Sequence, residues 1–185
     1  MNYFIGDLHF GHNNVLRYDS RPFKNIEEHD RVLIENWNSV VGIDDDVYIL
    51  GDISWYNAAK TIEIFEQLNG NIHWIIGNHD SKLLKNRELK NLFCEITQYK
   101  ELDIGNGKKI VLQHYPSLCF KNRSRGWYHL YAHVHNSIEW ELIEKFKSEL
   151  VEKTDSLCEM YNCGCMLLEY TPRTLEEIIE IYKEK

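Results

Sequence analysis

A chain of 185 residues, 43% hydrophobic and 27% charged, has an ordinary globular composition and enough length to bury a full core as a single domain, residues 1–185. A net charge of −8 argues against a basic coat for nucleic acid, and no apolar run approaches a membrane span, so neither a stable nucleic-acid complex nor a membrane partner is expected. Five cysteines without a Cys-x-x-Cys pair, and a first strand that leaves no room for a signal peptide, point to reduced thiols and a cytoplasmic location.

The first predicted strand, residues 3–5, runs straight into Gly6-Asp7-Leu8-His9. Alternation along an extended chain sends Asp7 and His9 to one side, where both can grip one metal ion. His12 follows as a candidate phosphate contact or a helix-start residue in water, and Arg17 and Arg21 lie in the next loop. Helical periodicity predicts a helix over residues 26–40, with Glu27, Glu28 and Asp30 in its first turns. Asp44-Asp45-Asp46 lacks the spacing of a calcium loop and reads as a solvated turn.

A second strand, residues 47–50, ends in Gly51-Asp52, and Trp55 and Tyr56 follow as packing residues or a stacking platform for a nucleoside. After a helix over residues 58–68, a third apolar run, residues 72–76, stops abruptly at Gly77-Asn78-His79-Asp80. That tetrapeptide reads alone either as a turn that caps the next helix or as a reaction centre. Alternating strands and helices predict a layered α/β fold whose loops gather at one sheet edge, so Asp7, Asp52 and Asn78 converge. A short helix is expected over residues 81–86.

From residue 95 the pattern changes to a hairpin, residues 95–104 with 108–113, turning at Asn106-Gly107 and ending in His114. A loop carrying Lys121, Arg123 and Arg125 leads to a strand over residues 127–131 and then to Ala132-His133-Val134-His135. A helix over residues 137–150, strands over 158–162 and 165–170, and a C-terminal helix opened by the capping box Thr174…Glu177 complete the chain. The spacing of Cys158, Cys163 and Cys165 fits no standard zinc module.

Five of the nine histidines stand at strand ends beside Asp7, Asp52 and Asn78. Imidazole and carboxylate donors in this number suit two octahedral or five-coordinate ions that share a bridging carboxylate, rather than one tetrahedral ion. In this order the motifs Asp7-Leu8-His9, Gly51-Asp52, Gly77-Asn78-His79-Asp80, His114 and His133-Val134-His135 resemble those of the calcineurin-like metallophosphoesterases, with Ala132 where that family usually has glycine. Asn162-x-Gly164 is similar to a late glycine turn in small bacterial and phage members.

The resemblance implies a four-layer α/β/β/α sandwich with two mixed β-sheets. It further implies two divalent metal ions, manganese foremost, with iron, nickel, cobalt or zinc as alternatives. One ion would take Asp7, His9 and His135, the other Asn78, His114 and His133, with Asp52 and a hydroxide nucleophile bridging them. The implied activity is phosphoester hydrolysis, chiefly of phosphodiesters and with nucleotides among the candidate substrates. His79 protonates the leaving group in this scheme, and Asp80 orients its imidazole; the alternative for His79 is a hydrogen bond behind a ligand. His12, Arg17, Arg21, Arg123 and Arg125 are the candidate substrate contacts. A nuclease acting on single strands or ends is the alternative enzyme, and a scaffold that has lost catalysis the alternative outside enzymes.

Overall fold

The computed structural model describes residues 1–105 and 107–184. Its first sheet holds β1 (Asn2–Ile5), β2 (Asp46–Ile49), β3 (Asn71–Ile75) and β4 (Glu95–Thr97) in that order, every strand pair parallel. An isolated antiparallel bridge joins Phe4 to Arg173 at the β1 edge. The second sheet holds β5 (Tyr99–Asp103), β6 (Lys109–Gln113), β7 (Tyr128–Tyr131) and β8 (Glu159–Asn162). It is mixed: β5 and β6 run antiparallel, while β7 and β8 continue parallel to β6.

Strand alternation assigns each side chain to a layer. Tyr3, Ile5, Val47, Ile49, Ile72 and Trp74 face one side of the first sheet and are covered by α2 (Ile26–Val40) and α3 (Ala58–Phe65) through Leu33, Trp37, Ile64 and Phe65. Their neighbours Phe4, Tyr48, Leu50 and Ile75 face the other way and meet Ile110, Leu112, Leu130 and Tyr161 of the second sheet. Leu175 and Ile178 of α6 (Leu175–Lys183) close the edge of this central core. On the far side of the second sheet, Val111, Tyr131 and Met160 pack under Trp140, Ile143 and Leu150 of α5 (Ile138–Thr154). The layers are therefore helix, sheet, sheet, helix. Two single-turn helices, α1 (Val15–Tyr18) and α4 (Arg87–Lys90), sit in the connections.

Helix ends follow local chemistry. Asn25 caps α2 by accepting from the Glu28 N–H, and the expected capping box at Thr174 and Glu177 opens α6.

Three sequence expectations are corrected. The stretch 95–104 is not one strand but two, because Thr97 bonds back to Tyr99 and the chain leaves the first sheet at Gln98 to start the second. Asn106, at the tip of the predicted hairpin, lies outside the described residues. The expected strand over 165–170 is a 3-10 turn, Cys165–Leu167. Its apolar run arises because Cys165 drops into the helix-covered core and Leu168 into the core between the sheets. The short helix after Asn78 is also a 3-10 segment, Asp80–Lys85.

Candidate metal centre

Parallel strands place the loops after β1, β2 and β3 side by side, and backbone bonds lock them. Asp7 N–H donates to Gly51 O at 3.1 Å, and His9 N–H to Asp52 O at 3.0 Å. Asp7 and His9 reach this edge by a different route from simple alternation: both have φ of 52°, in the left-handed region. Asp52, His133 and His135 share that conformation, with φ of 55°, 72° and 51°. Asp and His tolerate it better than most side chains, but each such residue costs about 1–3 kcal/mol and persists where surrounding contacts enforce it.

The second sheet brings its own strand ends to the same place. His114 follows β6 and His133 and His135 follow β7, while the Asp7 carboxylate accepts the His133 N–H at 3.0 Å across the gap. Glycines make the close approach possible. A Cβ on Gly51 (φ 85°) would lie 2.5 Å from His114 Nδ1 and 2.7 Å from Gly77 Cα.

Two donor groups emerge, each with its ligand atoms within 4.8 Å of one another: Asp7, His9 and His135, and Asp7, Asp52 and His114. Asn78 and His133 extend the second, since Asn78 Oδ1 lies 2.8 Å from His114 Nε2 and 2.9 Å from His133 Nδ1. The Asp52 carboxylate stands between the groups, 3.9 Å from His9 Nε2 and 3.7 Å from His114 Nε2.

Lone pairs converge here. His114 Nδ1 donates to Leu50 O at 2.6 Å, so a neutral ring presents only a lone pair at Nε2, facing the lone pairs of Asn78 Oδ1. His135 Nδ1 is held by Asp19 at 2.8 Å, which aims its Nε2 at His9 Nε2, 3.3 Å away. Where neither facing ring nitrogen carries a proton, the lone pairs repel, and a cation between them removes the repulsion. The donor set thus fits divalent metal ions.

Electrostatics agree. Burial, only partly offset by His114, pushes the Asp52 carboxyl up to about 6. Burial, reinforced by Arg21, holds His9 well below its ordinary range, and burial together with His114 lowers His133. His135 moves the other way: burial would lower it, but its bond to Asp19 and the Asp7 charge outweigh that and raise it. The raised carboxyl of Asp52 and the lowered imidazoles of His9 and His133 are the signs of a pocket short of positive charge, and His135, bonded to Asp19, is the exception.

A cavity of about 530 Å³ opens beside the first group, lined by His9, His12, Tyr18, Trp55, His79 and His135 among others. A second, of about 360 Å³, opens beside Asn78, His114 and Tyr115. Among the described residues, neither is lined by lysine or arginine.

A model of the calcineurin-like phosphoesterase family matches residues 3–158. The chain belongs to the calcineurin-like phosphoesterase family. Uncharacterised protein MJ1445 of Methanocaldococcus jannaschii is 33% identical over 98% of this chain and 91% of its own length. The gene 66 protein of Mycobacterium phage L5 is 32% identical over 62% of each chain. The crystal structure of AQ665 from Aquifex aeolicus, a protein of unknown function, is similar over 98% of both chains, with a TM-score of 0.73 and 26% identity. As a calcineurin-like phosphoesterase, the chain is a metal-dependent hydrolase of phosphoesters. No helix among its described residues is long and apolar enough to cross a membrane.

Several sequence-predicted residues sit elsewhere than expected. Asp80 does not orient His79; it is fully buried and accepts four N–H bonds, from Asp52, Ile53, Gly77 and the Trp74 indole. The 3-10 segment that starts at Asp80 turns its carboxylate under the loops. Trp55 is what touches the His79 ring, with centroids 4.4 Å apart. Arg21 is not a substrate contact either, because its guanidinium is buried in bonds to protein atoms.

Arg123 bonds to Leu157 O, just before β8, which puts it and Arg125 at the opposite end of the parallel strands from the ligands. Arg17 is exposed over the Tyr18 ring and outside the cavity lining. His12 alone of the five proposed substrate contacts lines the cavity, stacked on Trp55 at 4.0 Å.

Sequence reasoning missed Asp19, which bonds His135, and the part played by Asn162, whose Nδ2 donates to His135 O at 2.8 Å. Asn162 carries a faint signal in its Asn-x-Gly turn; Asp19 lies in an unpatterned loop and carries none.

Proposed function

We propose that this chain hydrolyses phosphodiesters at a centre of two divalent cations, manganese foremost. Asp7, His9 and His135 would hold one cation and Asn78, His114 and His133 the other, with Asp52 between them. The single observation that carries this reading is the Asp52 carboxylate, 3.9 Å and 3.7 Å from one imidazole of each group. When bound, such a pair of ions polarises phosphate oxygens and lowers the pKa of water between them, supplying a nucleophile at neutral pH.

The protein's own groups do the remaining work. The Asp52 Oδ1 atom accepts the His79 backbone N–H at 2.9 Å, which ties the residue after ligand Asn78 to the bridge. The His79 imidazole, braced by Trp55 at the cavity wall, delivers a proton to the leaving oxygen. Attraction for phosphate comes chiefly from the ions, since among the described residues no lysine or arginine lines either cavity and Lys82 lines only a smaller one beside Asn78 and His79. That composition favours a substrate with one phosphate over a polyphosphate, and it gives no basic track to a nucleic-acid strand.

The test is hydrolysis of an aryl phosphodiester beside an aryl phosphomonoester by stripped protein reloaded with manganese, nickel, zinc or magnesium. The expected result is metal-dependent turnover, faster on the diester and abolished in Asp52→Ala. A protein that binds fewer than two ions, or that prefers the monoester, overturns the reading.

A further inference from the structure

Asp19 and Arg21 sit outside every ligand set yet bond two members of the first one, Asp7 through its carbonyl and His135 through its ring, and the Leu8 carbonyl beside the third, His9. The Arg21 guanidinium has its donors fully engaged. Nε and Nη2 donate to Asp19 Oδ2 at 2.9 and 2.8 Å, and Nη2 also donates to Asp7 O at 2.9 Å. Nη1 donates to Leu8 O at 3.1 Å and to His29 Nε2 at 2.8 Å. The two carbonyls it clips lie between the left-handed residues Asp7 and His9, so the bonds hold this strained turn in place.

The network has a rigid footing. His29 and Asp30 belong to α2, the His29 Nδ1–H donates to Asp30 at 2.7 Å, and Asp30 accepts the Gly11 N–H at 3.2 Å. The loop that carries Asp7 and His9 is thereby pinned at both ends to the helix layer. Asp19, held by Arg21, reaches across to the other sheet and fixes the His135 ring with both carboxylate oxygens at 2.8 Å. No bond of this pair touches Asp52, Asn78, His114 or His133.

We propose that Asp19 and Arg21 form a positioning pair that presets the Asp7–His9–His135 cation site and sets its affinity separately from that of the second site. The proposal rests on the two-cation reading above. Partners of this kind, behind metal-binding histidines, are worth about 10–100-fold in metal affinity. A planar guanidinium matters because it serves two carbonyls, a carboxylate and an imidazole at once, which a lysine ammonium cannot.

The experiment titrates metal-free full-length protein with Mn²⁺ and reads stoichiometry and both dissociation constants, alongside the melting temperature of the metal-free protein. Asp19→Ala and Arg21→Lys should each weaken one of the two sites about 10–100-fold and leave the other within about twofold. Asp19→Asn keeps an acceptor for the His135 Nδ1–H and should recover most of the affinity lost in Asp19→Ala. Equal weakening of both sites, no weakening at all, or no recovery in Asp19→Asn overturns the proposal. If Asp19→Ala fails to fold, Arg21→Lys decides by the same criterion, and Asp19→Asn should stay close to the wild-type constants. Wild-type protein that binds fewer than two ions defeats the two-cation reading instead, which keeps the two failures distinguishable.

Discussion

His79 and Asp80 are adjacent in sequence, yet their side chains part to opposite sides of the loop. The His79 ring stands at the cavity wall against Trp55, while the Asp80 carboxylate is drawn beneath the loops by four N–H donors. His79→Gln should therefore lower kcat on an alkyl phosphodiester about 10²–10⁴-fold. The loss should be much smaller on a nitrophenyl diester, whose leaving group needs no proton, and Mn²⁺ stoichiometry should stay unchanged. Steady-state kinetics on the two substrates check this. Asp80→Asn should instead cost about 3 kcal/mol or more of stability, because an amide nitrogen would replace one acceptor in a buried site built from donors. Denaturant midpoints of the metal-free proteins measure that difference.

The elements explain what could be read in advance. Asp7, Asp52 and Asn78 were legible because each follows a short apolar strand and a glycine turn, and parallel strands bring such ends together. His114 and the His133-Val134-His135 pair were legible for the same reason in the second sheet. The left-handed backbone at five of the proposed ligands was not, since φ leaves no compositional trace at Asp or His. Nor was the Asp19–Arg21 pair, which sits in a loop without periodicity and acts through contacts distant in sequence. The apolar stretch 165–170 misled because a turn that feeds two cores looks like a strand that faces both. One turn offers a direct check. Gly51→Ala would force a Cβ against Gly77 Cα and the His114 ring at a φ unfavourable for alanine. It should lower stability by at least about 2 kcal/mol and reduce metal binding at the His114 side, as seen by calorimetric unfolding and Mn²⁺ titration.

Across the whole molecule, each proposed cation draws ligands from both sheets. Asp7 and His9 come from the first and His135 from the second; Asn78 comes from the first and His114 and His133 from the second. Bound ions would tie the sheets together at the edge where their loops meet. At a hundred times the dissociation constant, one bound ion adds about 2.7 kcal/mol, which in a chain of this size raises Tm by about 5–10 °C. Thermal unfolding with a chelator and with saturating Mn²⁺ should show a shift of that size or larger, and Asp52→Ala should show much less.

The crossing at Gln98 also sets an order of events during synthesis. The chain completes its first sheet at Thr97 and only then begins the second at Tyr99. A ribosome that has released the first hundred residues has exposed Asp7 and His9, two of the three residues proposed for one cation, Asn78, one of the three for the other, and Asp52 between them. Until β6 and β7 have emerged and docked, those groups lack the imidazoles that complete either set. The complete donor set for either proposed cation therefore exists only after β7 has docked against the first sheet, so full-affinity metal binding follows the joining of the two sheets.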